Sequence, residues 1–257
     1  MKKIRKNSWV LLVGRKIFVT RAKGRFHCEF GVINLDKIIG REYGCRISSH
    51  LGEEFAVQEP FFTDLLKKAK RGPQVMLPKD TALILAKTGI GRRSLVIDAG
   101  TGSGFAAMFL ANYVKKVCSY ERRREFYELA RENLKSLGIK NVEIKHKDAG
   151  KGFEERDADL VLLDLENPEK IVRHAERALK EGGFLVVYCP FAEEVGRVVK
   201  EMERRGFGNV EIVENVQREW EVSFDKKGQS HMRARPFATF TGFLVFGRKM
   251  KAEIDRI

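Results

Sequence analysis

Two patterns of apolar and polar residues divide the chain. Before residue 67, short runs rich in β-branched and aromatic residues alternate with turns, which predicts strands at 9–13, 17–20, 32–35 and 55–57. After a basic segment at residues 67–72, helical and strand-like patterns take turns. The change predicts a small β-rich domain at residues 1–69 and a larger domain at residues 70–257.

The second part reads as a regular alternation. Helices are predicted at 80–87, 105–113, 123–137 and 168–179, and strands at 94–97, 117–120, 142–147, 158–163 and 184–188. Residues 210–216 and 240–246 are expected to form a final antiparallel pair. Such alternation predicts an α/β fold with a Rossmann-like parallel sheet, helices on both faces, and ligands bound beyond the carboxyl ends of the strands.

A glycine-rich loop follows the first strand of that sheet. Residues 98–104 read Asp-Ala-Gly-Thr-Gly-Ser-Gly, so three glycines stand where a buried strand turns into a helix. Glycine permits the tight turn and close approach of a ligand, and the helix N-terminus offers free N–H donors. This geometry predicts a pocket for a nucleotide-like cofactor. The spacing is one residue shorter than the dinucleotide fingerprint GxGxxG, which disfavours NAD.

Acidic residues end three successive predicted strands: Asp98, Glu121 and Asp148. This arrangement resembles the class I S-adenosylmethionine methyltransferases, against the alternative of an ordinary glycine turn with solvated carboxylates. The resemblance implies that the glycine loop approaches the methionine part, that Glu121 holds the ribose hydroxyls and that Asp148 meets the adenine amine. The residues expected to bind S-adenosyl-L-methionine are Leu77, Asp98, Gly100, Gly102, Ser103, Gly104, Glu121 and Asp148.

Net charge points to a polyanionic partner. The chain has 49 Lys and Arg against 35 Asp and Glu, a net charge of +14, and residues 1–72 hold 16 basic and 7 acidic side chains. The N-terminal module is therefore expected to face RNA. The alternative is that a surface rich in Lys and Glu reflects adaptation to heat.

Neither a membrane nor a metal is expected. No apolar run approaches the roughly 20 residues that span a bilayer, and the Lys-rich start leads into a strand pattern rather than a signal peptide, which favours the cytoplasm. The four cysteines, Cys28, Cys45, Cys118 and Cys189, show no CxxC spacing. They are expected to be reduced thiols and not zinc ligands.

Motifs in the first 80 residues carry a second, more specific resemblance. They are Phe26-His27, Gly31-Val-Ile33, Ile39-Gly40, Gly44, Ser49-His50-x-Gly52-x-Glu54-Phe55, Pro60, Asp64, Arg71-Gly-Pro-Gln74 and Pro78-Lys-Asp80. With the glycine loop, they resemble the archaeal tRNA (adenine-N1)-methyltransferases over about residues 9–248. That resemblance implies methylation of N1 of an adenine in the tRNA T-loop, by a homotetramer that binds tRNA across its subunits.

Asp164, which ends the predicted strand at 158–163, is the expected catalytic residue. Adenine N1 is a weak nucleophile because its electron density is shared with the exocyclic amine. A carboxylate that accepts a hydrogen bond, and then a proton, from that amine strengthens N1, typically by about 10²–10⁴ in rate. Displacement at a sulfonium methyl otherwise depends on positioning. The alternative for Asp164 is a helix cap before Pro168, a role that Asn167 also suits.

The chain departs from the family on the side of the base. Residues 164–168 read Asp-Leu-Glu-Asn-Pro where the family has Asp-Leu-Pro-x-Pro, Leu77 stands where Tyr or His is common, and Phe240 replaces the His of a His-Thr-Gly motif. These departures concern the target base, and the motif predicted to bind the methyl donor is unchanged. Two targets stay open. One is N1 of an adenine in the T-loop, and the other is an atom of another base, such as the exocyclic N4 of a cytidine in ribosomal RNA. A non-catalytic RNA-binding subunit and a small-molecule methyltransferase are further alternatives.

Five residues are expected to meet the RNA substrate: Glu166, Asn167, Tyr188, Arg233 and Arg235. Tyr188 ends a predicted strand and is expected to line the base pocket, with core packing as the alternative. The two arginines adjoin a stretch at residues 226–230 that is expected to be flexible. They are expected to contact phosphates, with solvated loop charges as the alternative.

Overall fold

The computed structural model describes residues 2–72 and 75–251, and it shows two compact units that divide between Ala69 and Lys70. Each unit has its own core. One cluster of buried apolar side chains lies within residues 4–57, and two others lie within residues 76–246. In the described part of the chain, no helix has the length and apolar character needed to cross a membrane.

The N-terminal unit is built from antiparallel strands. Its main sheet has the order β2-β1-β6-β5, and β3 pairs with β4 in a separate hairpin. Alternate residues of the central strands point into the core, as Val10 and Leu12 do in β1. The elements are β1 (Trp9–Val13), β2 (Ile17–Arg21), β3 (Arg25–Cys28), β4 (Gly31–Asn34), β5 (Arg46–Ser48), β6 (Glu54–Gln58) and α1 (Phe62–Leu66).

The C-terminal unit contains a seven-stranded sheet of order β12-β15-β11-β10-β7-β8-β9. The strands from β11 to β9 in this order run parallel, whereas β15 is antiparallel to both its neighbours. The strands are β7 (Leu95–Ala99), β8 (Lys116–Tyr120), β9 (Val142–Lys145), β10 (Ala158–Leu163), β11 (Leu179–Cys189), β12 (Phe207–Glu214) and β15 (Phe243–Lys249). The helices are α2 (Pro78–Thr88), α3 (Phe105–Ala111), α4 (Arg124–Leu137), α5 (Val172–Ala178) and α6 (Ala192–Arg204).

Helices cover both faces of this sheet. Side chains of β7 alternate between them: Val96 packs in a cluster with Ile84 of α2, and Ile97 packs in a cluster with Val198 of α6. A parallel sheet buried on both faces requires the near-continuous apolar strands seen in the sequence. The predicted α/β class and the final antiparallel pair are confirmed, the pair as β12 and β15.

The helix predicted for residues 168–179 is wrong at both ends. A short 3-10 turn occupies Pro168–Lys170, α5 covers only Val172–Ala178, and Leu179 is already the first residue of β11. Leu179 pairs with Ala158 of β10 across the parallel sheet. Pairing between strands therefore overrides the helical pattern of the sequence at this point.

A hairpin stands where the sequence predicted only a flexible stretch. Strands β13 (Trp220–Phe224) and β14 (Ser230–Ala234) pair antiparallel, and residues 226–230 contain their turn. Asp225 orders that turn, because its Oδ1 accepts hydrogen bonds from the backbone N–H groups of Lys227 and Gln229. The charged and polar composition of the turn concealed its regular geometry.

Candidate active site

Acidic residues lie in a row along the carboxyl edge of the parallel sheet. Asp148 follows β9, Glu121 follows β8, Asp98 lies near the end of β7 and Asp164 follows β10. Because these strands are consecutive neighbours in the sheet, the four acids are neighbours as well. The edge is the place where open α/β sheets bind their ligands.

The loop between β7 and α3 requires glycine because of its positive φ angles and because neighbouring atoms leave little space for a side chain. Gly100 has a φ of +96°, and a Cβ on it would lie 1.9 Å from the backbone oxygen of Asp164. Gly104, the N-cap of α3, has a φ of +85°, and a Cβ there would lie 3.3 Å from the Cβ of Ala130 in α4. A residue with a side chain is strained in such conformations.

Asp98 is buried beneath this loop. Its Oδ2 accepts a hydrogen bond of 2.5 Å from the hydroxyl of Ser119, which lies 2.5 Å from the hydroxyl of Thr101. Its Oδ1 is buried with no hydrogen-bond partner among the residues that the structure describes. Burial raises the pKa of Asp98 to about 6, against a lowering effect of the Ser119 bond, and the charge of Glu121 adds to the rise.

Glu121 and Asp148 are held by backbone groups. The two oxygens of the Glu121 carboxylate each accept a hydrogen bond of 2.9 Å, from the N–H of Gly102 and from that of Arg123. Oδ1 of Asp148 accepts one of 2.8 Å from the N–H of Gly150. Glu121 is 4% exposed, whereas Asp148 is exposed. Both carboxylates therefore have fixed positions before any ligand binds.

Asp164 is fixed through its own backbone. Its N–H donates a hydrogen bond of 2.9 Å to the carbonyl of Ala99 at the end of β7. The side chain is partly buried, and burial raises its pKa to about 7, with a further contribution from the nearby charge of Asp98. A carboxyl group with such a pKa exchanges a proton readily near neutral pH.

A cavity of about 540 Å³ lies at this edge of the sheet. Of the predicted cofactor residues, Gly100, Gly102, Glu121 and Asp148 line it, and Asp164 lines it as well. Its volume falls within the range of about 300–1,000 Å³ that is typical of small-molecule sites. The structure thus brings two glycines of the loop and the acids that follow β8, β9 and β10 to one cavity.

Four other predicted cofactor residues do not line the cavity as the described part of the chain forms it. Asp98 and Ser103 are buried, and the Ser103 carbonyl accepts a hydrogen bond from Asn133. Gly104 lies under the loop as the cap of α3. Leu77 precedes α2, where its carbonyl accepts from the N–H groups of Asp80 and Thr81. Cofactor binding by these residues stays a prediction.

Glu166 and Asn167, expected to face the base, both line the cavity beyond Asp164. Glu166 forms an ion pair of 3.1 Å with Arg122, which follows the end of β8, so the pair joins two strand ends. Asn167 occupies the cap position of the 3-10 turn in a left-handed conformation, and its side chain makes no capping hydrogen bond. The cap role considered for Asn167 is therefore wrong for its side chain.

The other three predicted substrate residues are not among those that line the cavity in the described part of the chain. Tyr188 is half-buried near the end of β11, and its hydroxyl donates to the carbonyl of Thr241. Arg233 and Arg235 belong to the hairpin region, where Arg235 pairs with Glu219 at 2.7 Å and with Glu221 at 3.0 Å. The structure brings neither arginine to the acids at the sheet edge.

The sequence analysis missed the cations of the cavity wall. Arg122, Arg123, Lys147 and Lys170 line it, opposite in charge to the acids that surround the cofactor loop. A signal was present, because the three arginines at residues 122–124 directly follow the strand-end acid Glu121. A second omission is a buried polar cluster around Lys79 and Asp80, in a motif noted only for its resemblance.

Comparison with known proteins identifies the family to which the chain belongs. A family model described as the tRNA methyltransferase complex GCD14 subunit matches residues 66–248, well over half of the chain. The chain belongs to this family. The resemblance that the sequence motifs indicated is thereby confirmed, although Pro73 and Gln74 of the Arg71-Gly-Pro-Gln74 motif lie outside the described residues.

Two curated relatives of this tRNA methyltransferase family extend over nearly the whole chain. The tRNA (adenine(57)-N(1)/adenine(58)-N(1))-methyltransferase TrmI of Methanocaldococcus jannaschii is 31% identical, with 95% of this chain and 94% of the relative covered. The tRNA (adenine(58)-N(1))-methyltransferase TrmI of Thermus thermophilus is 33% identical, with 89% and 90% covered.

Two crystal structures match the fold over nearly the whole chain. The tRNA (m1A58) methyltransferase TrmI of Aquifex aeolicus aligns with a TM-score of 0.80 and 26% identity over 98% of this chain and all of that one. A structure from Thermotoga maritima, described as a SAM-dependent O-methyltransferase, aligns with a TM-score of 0.86 and 27% identity over 98% and 97%. The two descriptions differ in the acceptor atom.

Proposed function

We propose that this protein is a tRNA methyltransferase that transfers the methyl group of S-adenosylmethionine to N1 of adenine 58 in the T-loop. The observation that carries the proposal is the position of Asp164, which follows β10 and lines the same cavity as Glu121 and Asp148, the acids that follow β8 and β9. Its relatives named above, each covered over about nine tenths of its length or more, support adenine N1 as the acceptor.

The residues around the cavity fit the proposed cofactor. S-adenosylmethionine supplies a methyl group on a positively charged sulfur, which an acceptor nitrogen displaces. Asp98 has a buried Oδ1 without a partner among the described residues, directly beneath the glycine loop, and acids line the cavity on three strands. Both features favour a ligand that carries positive charge and hydroxyl or amine donors.

Each cofactor residue has a proposed task. Gly100 and Gly102 let the backbone lie against the ligand without side chains. Glu121, fixed by two backbone N–H groups, accepts from the ribose hydroxyls, and Asp148 accepts from the adenine amine of the cofactor. Asp98, buried beneath the loop, is proposed to act indirectly, through its hydrogen bond with Ser119 and through the loop. Leu77, Ser103 and Gly104 contribute by shaping the loop and the start of α2.

Asp164 is proposed as the base. Its carboxylate accepts a hydrogen bond from the exocyclic amine of the target adenine, which raises the electron density on N1. When bound, S-adenosylmethionine would supply the methyl group that N1 accepts, with the sulfur of the cofactor as the leaving atom. The target adenine gains a positive charge on methylation, and it loses that charge when a proton passes from its exocyclic amine to Asp164. Glu166 and Asn167, which line the same side of the cavity, are proposed to position the base.

The direct test uses the full-length protein with S-adenosylmethionine and an unmodified tRNA transcript, followed by nucleoside mass spectrometry. We expect N1-methyladenosine from the wild type and its absence when adenine 58 of the transcript is replaced by guanine. An accompanying adenine 57 variant distinguishes the single-site activity from the two-site activity named for the Methanocaldococcus relative.

The remaining alternatives give different results in the same assay. N4-methylcytidine from a ribosomal RNA fraction, or 2′-O-methylation, would replace adenine N1 as the acceptor and overturn the proposal. Binding of S-adenosylhomocysteine and tRNA without any methylated nucleoside would identify a non-catalytic RNA-binding subunit. Methylation insensitive to added RNA would indicate a small-molecule substrate.

The N-terminal unit is proposed to bind the tRNA backbone. Lys3, Arg5 and Lys6 are exposed, and within the described part of the chain they form no side-chain ion pair, whereas Lys16 and Arg46 are paired with Glu29 and Glu54. When unpaired cations of the protein bind phosphates, counterions are released from the RNA. The affinity for RNA should therefore fall steeply as the salt concentration rises. Arg233, exposed on β14, is a further proposed phosphate-binding residue, and Arg235 would first have to leave its two carboxylates.

This role is tested by two variants, one at unpaired cations and one at cations that form ion pairs. Replacing Lys3, Arg5 and Lys6 by Gln should weaken tRNA binding and lower the slope of log K against log salt by about 1 for each phosphate that the variant no longer binds. Replacing Lys16 and Arg46 by Gln removes charge from paired positions and should change the slope less. Equal slopes in all three proteins would contradict the proposed role of the N-terminal unit.

We also propose that the protein is a homo-oligomer, a tetramer by the resemblance. The hairpin of β13 and β14 exposes apolar residues on one face: Trp220, Val222, Phe224 and Met232 are 53–71% exposed. A two-stranded hairpin is marginal in water by itself, and a second copy of this chain would cover that face.

A further inference from the structure

A closed polar cluster, here named the Lys79 clasp, joins three segments of the C-terminal unit. It consists of Lys79 and Asp80 at the start of α2, Asn215 after β12 and Thr241 before β15. The ammonium group of Lys79 donates to Asp80 Oδ1 at 2.7 Å, to the carbonyl of Asn215 at 2.6 Å and to Thr241 Oγ1 at 2.8 Å. The Thr241 hydroxyl in turn donates to Asp80 Oδ2 at 2.7 Å.

Every strong donor and acceptor of the central ion pair has a partner. Lys79 uses all three ammonium hydrogens, and Asp80 also accepts from the Asn215 side-chain amide at 3.2 Å. The side chains of Lys79 and Asp80 are 8% and 1% exposed. In addition, Asp80 is the third residue of α2, where the helix dipole favours a negative charge. A buried network satisfied in this way is rigid and has a single geometry.

The clasp continues to the row of strand ends through Thr241. The carbonyl of Thr241 accepts a hydrogen bond from the Tyr188 hydroxyl. A Cβ on the next residue, Gly242, would lie 2.9 Å from the Tyr188 ring. The Tyr188 phenol is therefore held by a bond to one residue and close packing against the next.

Tyr188 lies next to Asp164 in the sheet. It lies near the end of β11, the strand beside β10, and the opposite side of β10 is occupied by β7 with the glycine loop. Burial raises the pKa of Tyr188 to about 12, and the charges of Asp164 and Asp80 add to the rise. The order along the edge is thus cofactor loop, Asp164, Tyr188 and then Thr241.

We propose that the Lys79 clasp is a positioning device for methyl transfer, which holds Thr241 and through it Tyr188 as the wall of the site that receives the target base. The base, a planar heteroaromatic ring, would enter between Asp164 and Tyr188, on the side of Asp164 opposite the cofactor loop. This inference rests on the proposed function and adds the side from which the base is bound. Lys79, Asp80 and Thr241 are positioning residues and do not touch the reacting atoms.

A purely structural role explains the placement less well. A buried ion pair contributes little net stability compared with apolar residues of the same volume, so such a pair is weak evidence for stabilisation of the core. The clasp joins segments that are distant in sequence, and they converge at the residue that contacts Tyr188. Its geometry therefore determines where one wall beside Asp164 lies.

The test is a Thr241→Val variant of the full-length protein, with Thr241→Ser as the conservative rescue. Valine keeps the shape and removes the hydroxyl that accepts from Lys79 and donates to Asp80. We expect kcat/KM for tRNA to fall by about 10- to 100-fold, as a small misplacement of reacting groups does. The Kd for S-adenosylhomocysteine should not change, and Thr241→Ser should restore most of the activity.

Thr88→Val is the matched control. Thr88 lies at the other end of α2, where its hydroxyl donates only to the carbonyl of Ile84 at 2.7 Å, so the variant makes the same chemical change away from the clasp. Its kcat/KM should equal that of the wild type. Should Thr241→Val fail to fold, Tyr188→Phe gives the answer, because it removes only the bond to Thr241 and should lower kcat/KM with an unchanged Kd for S-adenosylhomocysteine.

Wild-type kinetics in both the clasp variant and Tyr188→Phe would overturn the inference, as would equal reductions of cofactor affinity and kcat/KM. Those results leave the proposed function intact, because the wild type still methylates adenine 58. Absence of N1-methyladenosine in the wild-type reaction would instead contradict the proposed function. The wild-type reaction is therefore measured before the variants.

Discussion

The backbone oxygen of Asp164 occupies the space that a side chain on Gly100 would need, with 1.9 Å between that oxygen and an ideal Cβ. The two residues belong to neighbouring strand ends, and the N–H of Asp164 is bonded to Ala99 immediately before the glycine. The cofactor loop and the proposed base are thus in direct contact. Movement of either one must displace the other.

The first prediction concerns Gly100→Ala. The new methyl group would overlap rigid backbone, which costs about 1–3 kcal/mol as overpacking, and the positive φ of +96° adds roughly 1–2 kcal/mol. We expect a lower midpoint of thermal unfolding and loss of binding to S-adenosylhomocysteine in calorimetry. Gly196→Ala is the control: Gly196 lies in α6 with nothing near its Cβ, so alanine should stabilise the helix by about 0.5–1 kcal/mol. Normal binding by Gly100→Ala would contradict the tight loop.

The second prediction concerns Asp164→Asn. The amide has the same shape but cannot take a proton from the adenine amine, so kcat should fall by about 10²–10⁴. Binding of S-adenosylhomocysteine should persist, because Glu121 and Asp148 remain. Single-turnover kinetics and calorimetry measure the two quantities separately. Full activity in this variant would show that Asp164 is not the base.

The third prediction is a dependence of activity on pH. Burial and the charge of Asp98 raise the pKa of Asp164 to about 7, and only the deprotonated carboxylate can act as a base. In the wild type, kcat/KM should therefore rise about tenfold per pH unit below about pH 7 and become constant above it. The profile of Asp164→Asn should lack this step. A wild-type profile that is flat from about pH 5.5 to 8.5 would contradict the assignment.

The fourth prediction concerns Glu121→Gln. A hydrogen bond from a neutral donor to a charged group is worth about 1.5–3 kcal/mol, so the Kd for S-adenosylhomocysteine should rise by about 10- to 150-fold. Glu143→Gln on β9 serves as the control, because Glu143 is exposed and, among the residues that the structure describes, its ion pair is with Lys116 at the surface. Its Kd should not change. Equal affinities of both variants would remove Glu121 from the cofactor site.

The fifth prediction concerns the exposed face of the hairpin. Replacing both Trp220 and Phe224 by Ser removes two large apolar side chains, each worth about 1.5–3 kcal/mol when fully buried. Light scattering should then show a smaller mass in solution than that of the wild type. Ser223→Ala changes the opposite face of β13 and should leave the mass unchanged. A monomeric wild type, or an unchanged mass in the double variant, would contradict the proposed interface.

Much of the cofactor edge could be predicted from the sequence because strand ends and glycine turns are local signals. Glu121 and Asp148 were placed by the strands before them, and parallel strands end at one edge. The clasp could not be predicted in this way, because Lys79 and Thr241 are 162 positions apart and meet only through the packing of α2 against the segment before β15. Likewise, the ion pair of Glu166 and Arg122 depends on the order of the strands in the sheet.

Sequence alone determined the alternation of strands and helices, the glycine loop and the identity of the acids, since each depends on neighbouring residues and on backbone sterics. Tertiary structure decided the rest: that Leu179 extends a strand rather than a helix, that Asp98 lies buried below the loop, and that Tyr188 stands between Asp164 and the clasp. These features depend on hydrogen bonds and desolvation between distant segments. Such interactions exist only once the sheet has assembled.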